Sequence, residues 1–485
     1  MVLLSPTVAT GDLVPLAVDL DGTLLRTDSL IESLVVLARK QPLILIRLPR
    51  WLLQGRARFK KQVSERVIPD VQTLPYRDGV VSFLRTQKRA GRTLILATAA
   101  DEAIAQAVAG DLGLFDRVFG SDGVTNLKGE RKRDQLVDAF GSRGFDYLGN
   151  GASDYPVWCS ARRALFATAL PRFAGRVAKM TPVQVISDER GARWQDYLRM
   201  LRPLHWCKNG LVFVPIAAVH RIFEVALLGR TLLAFLAFSL CASGLYLLND
   251  LLDLSADRRH PSKRNRVLAS GRVPLAHALV MLPLLWTAGF GVAAHLSISV
   301  AAVLGLYCVM MTGYSRKLKD IALVDVFVLA IGYSLRIAVG SVATGVTISA
   351  WLLSFCIFLF FSLALIKRYA ELIVLESESE AEAKLVHARG YHDVDKLILA
   401  AQGVASGYLA AMVLALYTNT EISHRLYARH DLFWGVCLLL MYWVSYMWLM
   451  VNRGRIHDDP VIFALSDRGS LCAIGAMGLL VALAS

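Results

Sequence analysis

The sequence predicts a two-domain protein: an N-terminal doubly wound α/β domain, followed by an all-α polytopic membrane bundle of about nine transmembrane helices. The chain has 485 residues, which is longer than a single hydrophobic core usually extends. Hydrophobic residues make up 55% of it and charged residues only 19%, so it is more apolar than a typical soluble protein. Charged residues are dense up to about Arg202, and long apolar runs fill the remainder. These observations exclude a wholly soluble enzyme, a disordered protein and a disulfide-rich secreted domain.

The charged residues and cysteines indicate where the protein works. Lysine and arginine number 53 against 39 aspartates and glutamates, which gives a net charge of +14. In a membrane protein such an excess indicates basic cytoplasmic loops and anionic lipids or substrates, so we expect no nucleic-acid partner. The seven cysteines are far apart, and several lie in apolar runs. They are therefore predicted to be reduced and buried rather than bridged or metal-bound.

The α/β domain is predicted over residues 1–190. Short apolar runs at 16–20, 93–98 and 145–149 are typical of buried parallel strands, and helical stretches separate them. Residues 1–14 contain no basic segment followed by a long apolar one, so we expect this domain to remain in the cytosol.

Two carboxylates follow the first predicted strand, in the sequence Asp19-Leu20-Asp21-Gly22-Thr23. Doubly wound folds bind ligands at the carboxyl ends of their strands. Two acids at this spacing can divide the work of phosphate transfer, because Asp19 can attack phosphorus while Asp21 protonates the leaving oxygen. The alternative interpretation is a helix N-cap in a non-catalytic domain of the same fold.

This motif and three later ones, in the same order, resemble the haloacid dehalogenase superfamily of phosphatases. The resemblance implies a Rossmann-like domain with a helical cap. It also implies that Thr98, at the end of the second strand, and Lys132 bind phosphate. Lys128 is the other candidate for the phosphate-binding lysine.

The same resemblance implies a Mg²⁺ site formed by Asp19, Asn150 and Asp154. Asn150 departs from the superfamily pattern, in which an acidic residue occupies this position. A neutral oxygen ligand is compatible with Mg²⁺, because this ion keeps several waters and needs only one or two carboxylates.

The insert at 27–75 falls where this superfamily places its cap. No acidic residue occurs between Glu32 and Glu65, and lysine and arginine alternate with apolar residues there. This composition suits the surface of an anionic membrane. We expect the cap to lie on the bilayer, where it would let a lipid-linked phosphate reach Asp19. The alternative is an ordinary helical cap with a solvated basic face.

The membrane domain is predicted over residues 191–485. About nine apolar segments approach the ~20 residues that a spanning helix needs. Basic clusters at alternate ends of these segments place the N-terminal domain in the cytoplasm and the C-terminus on the opposite side of the inner (plasma) membrane. The segments are 210–228, 230–250, 275–295, 297–313, 322–344, 349–366, 397–417, 432–450 and 470–485.

A row of acids follows the second of these segments. Asn249, Asp253 and Asp257 recur every four residues and would share one helical face, next to Asp250. Carboxylates are costly at the edge of the membrane and usually functional, and a group of them can hold Mg²⁺ with a diphosphate. A loop that obeys only the positive-inside rule would explain the cations that follow but not the acids. Those cations suit phosphate binding and are Arg258, His260, Lys263 and Arg266.

The spacing Asn249-Asp250-x-x-Asp253-x-x-x-Asp257 resembles the UbiA superfamily of intramembrane prenyltransferases. Its continuation, through Ala269-Ser270-Gly271, resembles the branch that makes polyprenyl-phosphoryl-phosphoribose. The resemblance covers residues 195–485 and implies that the acidic row binds Mg²⁺ and 5-phosphoribosyl diphosphate. It also assigns substrate binding to Tyr314, Lys319, Asp325, Arg336, Lys367 and Arg368.

The two resemblances together imply a two-step enzyme. The membrane domain would transfer 5-phosphoribose to polyprenyl phosphate and release diphosphate, and the phosphatase domain would remove the ribose 5-phosphate. Lys319 has few acids around it, which suits a monophosphate lipid better than a second Mg²⁺-bound diphosphate. Asp325 and Arg336 could instead form a structural ion pair.

One alternative is an aromatic prenyltransferase that uses a prenyl diphosphate, joined to a regulatory or non-catalytic N-terminal domain. Asn150 is the best support for a non-catalytic domain. The sequence leaves open the length of the polyprenyl chain and whether the protein forms a homo-oligomer.

Overall fold

The chain forms two compact units. One combines Met1–Met200 with Asp250–Leu279, and the other combines Leu201–Asn249 with Val280–Ser485. The loop region at 250–279, which carries most of the acidic row, therefore belongs to the same unit as the α/β domain. The computed structural model describes residues 14–168, 174–186, 191–377, 390–456 and 459–484.

A six-stranded sheet forms the centre of the first unit. Its strands are β1 (Leu16–Val18), β2 (Leu94–Asp101), β3 (Arg117–Ser121), β4 (Asp146–Gly149), β5 (Ala164–Phe166) and β6 (Val183–Val185). They pair in parallel in the order β3-β2-β1-β4-β5-β6. The central strands are apolar and buried on both faces, because helices cover the sheet on each side. The predicted α/β domain is confirmed.

The cap is a small helical insert between β1 and β2. Asp28 caps its first helix, accepting hydrogen bonds from Leu30 N and Ile31 N. The cap has a core of its own, formed by Leu37, Trp51, Phe59, Val63 and Val67. The helices of this part of the chain are α1 (Ser29–Lys40), α2 (Leu48–Leu53), α3 (Arg56–Ser64), α4 (Asp78–Arg89), α5 (Glu102–Leu112), α6 (Glu130–Phe140), α7 (Tyr155–Ser160), α8 (Ala174–Val177) and α9 (Trp194–Leu201).

The rest of the chain is helical. Its helices are α10 (Val214–Ala218), α11 (Val225–Leu252), α12 (Leu254–Arg259), α13 (Leu275–Leu296), α14 (Ile298–Arg316), α15 (Val324–Thr344), α16 (Ala350–Ser377), α17 (Lys396–Thr418), α18 (Glu421–Leu426), α19 (Phe433–Asn452), α20 (Pro460–Ser466) and α21 (Arg468–Ala484). Within the described ranges, 7 helices are long and apolar enough to cross a membrane, namely α11, α13 to α17 and α19. The count becomes 8 if α20 and α21, which meet at 82°, form one bent span. A polytopic membrane bundle is therefore confirmed, and the predicted count of about nine is an approximation.

The predicted span at 210–228 does not form a long helix. A 3-10 helix covers Pro203–Phe213, and the short helix α10 follows it. Pro215 lies in the first turn of α10, where proline is tolerated, and α10 ends at Ala218, shortly before His220, whose φ is +57°. The 3-10 segment also carries Lys208 and Asn209, both of which are buried.

Small residues allow close packing in the second unit. A Cβ added to Gly340 of α15 would overlap the carbonyl oxygen of Val212. A Cβ added to Gly403 of α17 would overlap the ring of Trp448 in α19. Glycine at these positions lets backbone and ring approach more closely than any other residue would allow, as is common where membrane helices pack.

Candidate active sites

The carboxyl ends of β1, β2 and β4 meet at one edge of the sheet. Asp19 follows β1, Thr98 lies in β2, and Asn150 follows β4. Because β1 lies between the other two strands, these side chains line one cavity of about 210 Å³. The cavity is also lined by Asp21, Asp28, Lys60, Asp101, Lys128 and Lys132.

Lys132 contacts the predicted nucleophile. Its Nζ lies 2.7 Å from Asp19 Oδ1 and donates to the Tyr147 hydroxyl at 2.9 Å. All three side chains are buried. Burial raises the pKa of Asp19, and the positive charge of Lys132 opposes that rise. Of the two candidate lysines, Lys132 is thus the one beside Asp19, while Lys128 lies elsewhere in the cavity lining.

Asp21 has a different environment from Asp19. Its Oδ1 accepts a hydrogen bond from the backbone N–H of Ser29 at 2.8 Å. Burial, reinforced by the negative charge of Asp28, raises the pKa of Asp21. A carboxyl group that retains its proton more readily is suited to act as a general acid.

The sequence predicts Asp154 as a magnesium ligand, but hydrogen bonds engage both of its carboxylate oxygens. Oδ1 accepts from the Tyr147 hydroxyl at 2.7 Å and lies 3.5 Å from Lys132 Nζ. Oδ2 accepts from the backbone N–H groups of Asn150 at 3.2 Å and Gly151 at 3.1 Å. These contacts hold Lys132 and Tyr147 beside Asp19, and the role of Asp154 as a magnesium ligand stays a prediction.

Asp19 and Asn150 fit a magnesium ion in this cavity. The Thr23 hydroxyl lies 3.3 Å from Asp19 Oδ2 and 3.2 Å from Asn150 Oδ1, so these two oxygens converge. Gly22 permits the approach, because it has a φ of +75° and a Cβ there would overlap the Asn150 amide. One carboxylate, one amide oxygen and waters form a donor set that Mg²⁺ accepts. In the part of the chain that the structure describes, no three Asp, Glu, His or Cys side chains form a ready-made metal cluster.

Lys60 reaches this cavity from cap helix α3 and was not assigned to a site by sequence reasoning. Its Nζ donates to the carbonyl oxygen of Ala99 and to Asn126 Oδ1, the latter at 2.8 Å. Burial lowers the pKa of Lys60, while the charges of Asp21 and Asp28 oppose that change. The basic composition of the insert was the available signal, but it could not say which lysine turns inward.

The acidic row lies across a break between two helices. Asp253 is the N-cap of α12, and α11 ends just before it, so the predicted single helical face is interrupted there. Aspartate favours cap positions over helix interiors, which is consistent with a break at this residue. Asp250 and Asp257 still converge, because Arg266 Nη1 lies 3.3 Å from Asp250 Oδ1 and 2.6 Å from Asp257 Oδ2.

These two carboxylates fit a magnesium ion as oxygen donors, with Arg266 beside them. Burial raises the pKa of Asp257, and Arg266 and Lys263 oppose that rise. The predicted ligand Asn249 directly precedes Asp250 in α11. His260 is turned towards its own loop, since its Nδ1 accepts from the Ser262 backbone N–H at 3.3 Å.

Arg258 is bound within the first unit by partners other than the acidic row. Its Nη1 and Nη2 donate to the two carboxylate oxygens of Glu32 at 3.1 and 2.6 Å. Its Nε donates to the carbonyl oxygen of Ala269 at 2.9 Å. The sequence predicts Arg258 as a phosphate ligand, whereas here its bidentate face is occupied by a carboxylate.

Arg368 is the centre of a buried ion-pair cluster in the second unit. Its guanidinium group binds Asp325, the Tyr314 hydroxyl and Glu371, the last at 2.5 Å. Tyr391 donates to Asp325 at 2.6 Å. Three predicted substrate residues thus come together, and carboxylates already balance the charge of Arg368. Of the other three, Lys319 is buried in the 3-10 segment Leu318–Asp320, and Arg336 and Lys367 belong to other groups of side chains.

Arg336 does not form the ion pair that was the alternative interpretation. Its Nε donates to Asn209 Oδ1 at 3.0 Å and its Nη2 to the Tyr307 hydroxyl at 3.1 Å. Asp325, the other member of the predicted pair, binds Arg368 instead. Arg336 therefore joins α15 to the 3-10 segment that carries Asn209.

A second polar cluster in the same unit contains the predicted substrate residue Lys367. Its other members, Lys208 and Asp459, were not assigned to a site from the sequence. Lys208 donates to Asp459, and Lys367 is near enough to act on Asp459 electrostatically. Burial alone would raise the pKa of Asp459, but Lys208 and Lys367 hold it below its ordinary value. Burial and the neighbouring cations lower the pKa of His205 to about 4, so His205 is neutral at physiological pH. A lysine inside an apolar stretch was the signal in the sequence that pointed to this cluster.

An acidic loop at the end of an apolar helix, with an aspartate–lysine cavity in an α/β domain, defines a membrane-embedded transferase joined to a hydrolase-like domain. The chain belongs to the UbiA prenyltransferase family, whose sequence profile matches residues 211–466. Residues 16–157 match the profile of haloacid dehalogenase-like hydrolases. Both resemblances drawn from the motifs are confirmed.

Three relatives show how far the similarity extends. An uncharacterised protein of Sinorhizobium fredii is 35% identical over 460 residues, which cover 94% of this chain and 88% of that protein. Nodulation protein NoeC of Azorhizobium caulinodans is 34% identical over 288 residues, which cover 59% and 92% of the two chains. Decaprenyl-phosphate phosphoribosyltransferase of Mycobacterium tuberculosis is 38% identical over 193 residues, which cover 39% and 63%.

Proposed function

We propose that the protein transfers 5-phosphoribose from 5-phosphoribosyl diphosphate to a polyprenyl phosphate and releases diphosphate. The observation that carries this proposal is the convergence of Asp250 and Asp257 on Arg266, which gathers metal-binding and phosphate-binding groups in one loop. The similarity to a decaprenyl-phosphate phosphoribosyltransferase supports this choice of substrates.

The donor would bind to the acidic row and the cations that follow it. Asp250, Asp253 and Asp257, with the amide of Asn249, would hold Mg²⁺, which when bound neutralises the charge of a diphosphate. Arg266 would bind phosphate oxygens, assisted by Lys263 and His260 of the same loop. Positive charge develops on the ribose as its bond to the leaving diphosphate lengthens, as in other glycosyl transfers.

The phosphate of the acceptor lipid would bind among the cations of the second unit. Lys208, Lys367 and Asp459 together carry one net positive charge, which suits an anionic phosphate monoester. Arg368, in contrast, is already balanced by carboxylates. The phosphate is itself the nucleophile and needs no strong general base. Positioning and electrostatic stabilisation would therefore supply most of the rate.

The α/β domain would then remove the 5-phosphate from the product. Asp19 would attack phosphorus, and Asp21 would protonate the departing ribose oxygen. Lys132 would keep Asp19 ionised and bind the phosphate together with Thr98. Water would then cleave the aspartyl phosphate, releasing inorganic phosphate and leaving polyprenyl-phosphoryl-ribose. Mg²⁺ held by Asp19 and Asn150 would supply further neutralisation of the phosphate charge.

The cap would contact an anionic lipid surface. Leu43, Ile46 and Leu53 are 80%, 77% and 89% exposed, and arginines and lysines lie between and around them. Exposed apolar side chains interleaved with cations match the interface of an anionic bilayer. This arrangement supports a cytoplasmic N-terminal domain at the inner (plasma) membrane.

Transfer of radiolabelled ribose tests the proposed function. Full-length protein in nanodiscs is given labelled 5-phosphoribosyl diphosphate and polyprenyl phosphate, and we expect label in the lipid fraction. Asp250→Asn should lower this transfer by on the order of 100-fold. Asp320→Asn, which makes the same change at an exposed position, should leave it unchanged.

The alternative is an aromatic prenyltransferase with a non-catalytic N-terminal domain. The engagement of Asp154 by hydrogen bonds is the observation that favours a non-catalytic domain. The engagement of Asp325 by Arg368 speaks against a second diphosphate site. Prenyl transfer to an aromatic acceptor, without any ribose transfer, would replace our proposal with this one.

A further inference from the structure

A buried ion pair joins the cap of the α/β domain to the loop that carries the acidic row. Glu32 and Arg258 belong to the same compact unit, although 226 residues separate them. Their side chains are only 3% and 6% exposed. The contact is bidentate, with both carboxylate oxygens of Glu32 accepting from the guanidinium group. Such a pair fixes the relative orientation of the two segments as well as their separation.

Each member of the ion pair is close in sequence to a predicted site, Glu32 to that of the phosphatase and Arg258 to that of the transferase. Glu32 lies in the first turn of α1, and the start of this helix donates to Asp21 through Ser29 N. Arg258 is the immediate neighbour of Asp257, whose carboxylate binds Arg266. A single short path of bonded and hydrogen-bonded groups therefore connects the phosphatase acid with the donor loop.

Other contacts hold the same two segments together. Arg259 forms an ion pair with Asp70 of the cap insert, and these side chains are more exposed, at 50% and 30%. Gly271 has a φ of +69°, and a Cβ there would lie 2.8 Å from Arg26 Cβ and 3.2 Å from Pro75. The loop thus packs along the cap at both of its ends.

The pairing of Arg258 with Glu32 disfavours direct phosphate binding by Arg258. A buried carboxylate at hydrogen-bond distance neutralises the guanidinium charge that would attract an anion. Its Nε also closes the loop on itself through the Ala269 carbonyl oxygen. Both interactions hold Arg258 as part of the scaffold of the loop.

We infer that Glu32 is a positioning residue for the transferase, acting through Arg258 to hold the acidic row and Arg266 in their donor-binding arrangement. This inference rests on the proposed function for its kinetic test. It means that the α/β domain contributes to the transfer reaction as well as to hydrolysis. Substitution of Glu32 or of Arg258 alone would leave the other residue as a buried, unpaired charge. We therefore expect either substitution to disturb the loop.

The test compares Glu32→Gln with Asp70→Asn in the full-length protein. Each removes one negative charge from the same pair of segments, but only the first disrupts a buried bidentate pair. We expect Glu32→Gln to raise KM for 5-phosphoribosyl diphosphate at least tenfold, with kcat changed less than threefold. Asp70→Asn should change KM less than twofold, because exposed ion pairs contribute little. Hydrogen exchange in residues 258–272 should accelerate in the first variant and not in the second.

A second substitution keeps the test decisive if Glu32→Gln does not fold. Glu32→Asp retains the negative charge on a side chain that is one methylene shorter. We expect it to raise KM for 5-phosphoribosyl diphosphate less than Glu32→Gln does, with kcat unchanged. If Glu32 variants show the wild-type KM and wild-type exchange in 258–272, the inference is overturned while the proposed transfer stands. If the wild-type protein transfers no ribose, the proposed function fails, and the exchange measurement alone decides whether Glu32 holds the loop.

Discussion

Asp19 and Asp21 lie two residues apart but have different partners, and this difference predicts different effects of mutation. Asp19 contacts Lys132, whereas Asp21 contacts a backbone N–H and has Asp28 beside it. We expect Asp21→Asn to lower kcat for ribose 5-phosphate by about 10²- to 10⁴-fold, the usual loss for a general acid. With p-nitrophenyl phosphate the loss should be much smaller, because its leaving group needs no proton. Equal losses with both substrates would contradict the assigned role.

Lys208 lies outside the sequence motifs, but its buried position beside Asp459 suggests that it binds the phosphate of the acceptor lipid. We expect Lys208→Gln to raise KM for polyprenyl phosphate at least tenfold and to leave KM for the ribose donor unchanged, because a cation next to Asp459 is lost. Steady-state kinetics with each substrate varied in turn would measure this. Lys317→Gln, the same change on an exposed lysine, is the control. A rise in KM for the donor instead would assign Lys208 to the other half of the reaction.

Some side-chain roles could be read from the sequence and others could not. The resemblance placed Asp19 and Thr98 on neighbouring parallel strands, whose carboxyl ends meet, and the structure brings both into one cavity. The resemblance left Lys132 and Lys128 as alternatives, and the structure places Lys132, on helix α6, beside Asp19. The motifs did not reveal that Asp154 would be saturated by hydrogen bonds, nor that Glu32 would bind Arg258. These contacts depend on side-chain directions and long-range packing, which residue spacing does not specify.

Helices and strands were predicted correctly from the sequence where an apolar run of the right length forms a single element. The strands at 16–20, 93–98 and 145–149 were predictable because both of their faces are apolar. The span at 210–228 was not, because hydrophobicity does not reveal the 3-10 segment that ends at Phe213 or the positive φ of His220 after the short helix α10. The acidic row was expected on one continuous helix, but Asp253 acts as a cap and divides it.

The packing of α15 gives a stability prediction. Gly340→Ala places a Cβ against the carbonyl oxygen of Val212, and backbone rather than a flexible side chain would have to move. We expect a loss of about 1–3 kcal/mol, as for other overpacked sites. Gly229→Ala, at a helical glycine with nothing within 4 Å, should be neutral or slightly stabilising. Thermal unfolding of both variants in detergent checks this, and equal midpoints would refute the close contact.

The cap helices and the segment between them give a prediction about lipid. Replacing Leu43, Ile46 and Leu53 with serine should raise KM for a lipid-linked phosphate in anionic nanodiscs several-fold. Hydrolysis of soluble ribose 5-phosphate should be unaffected, because these side chains do not line the cavity of Asp19. Val124→Ser, at a side chain that is 87% exposed, is the matched control. Loss of activity towards both substrates would indicate damage to the cap fold instead.

For the molecule as a whole, the order of the two proposed reactions follows from their chemistry. Transfer creates a lipid that still carries a 5-phosphate, and the fused domain contains the groups to remove a phosphate. The loop at 250–279 clusters with that domain, so the carboxylates and cations proposed for the donor, from Asp250 to Arg266, share a compact unit with the residues proposed for hydrolysis. Covalent fusion would keep the second activity at the membrane where the first product forms.

Mass spectrometry of the lipid product tests the central claim most directly. Wild-type protein, given 5-phosphoribosyl diphosphate and polyprenyl phosphate, should form polyprenyl-phosphoryl-ribose. Asp19→Asn should accumulate the same lipid with its 5-phosphate retained, because the nucleophile is lost while transfer continues. Finding no ribosylated lipid from either protein, or one that keeps the 5-phosphate in the wild type, would contradict the account.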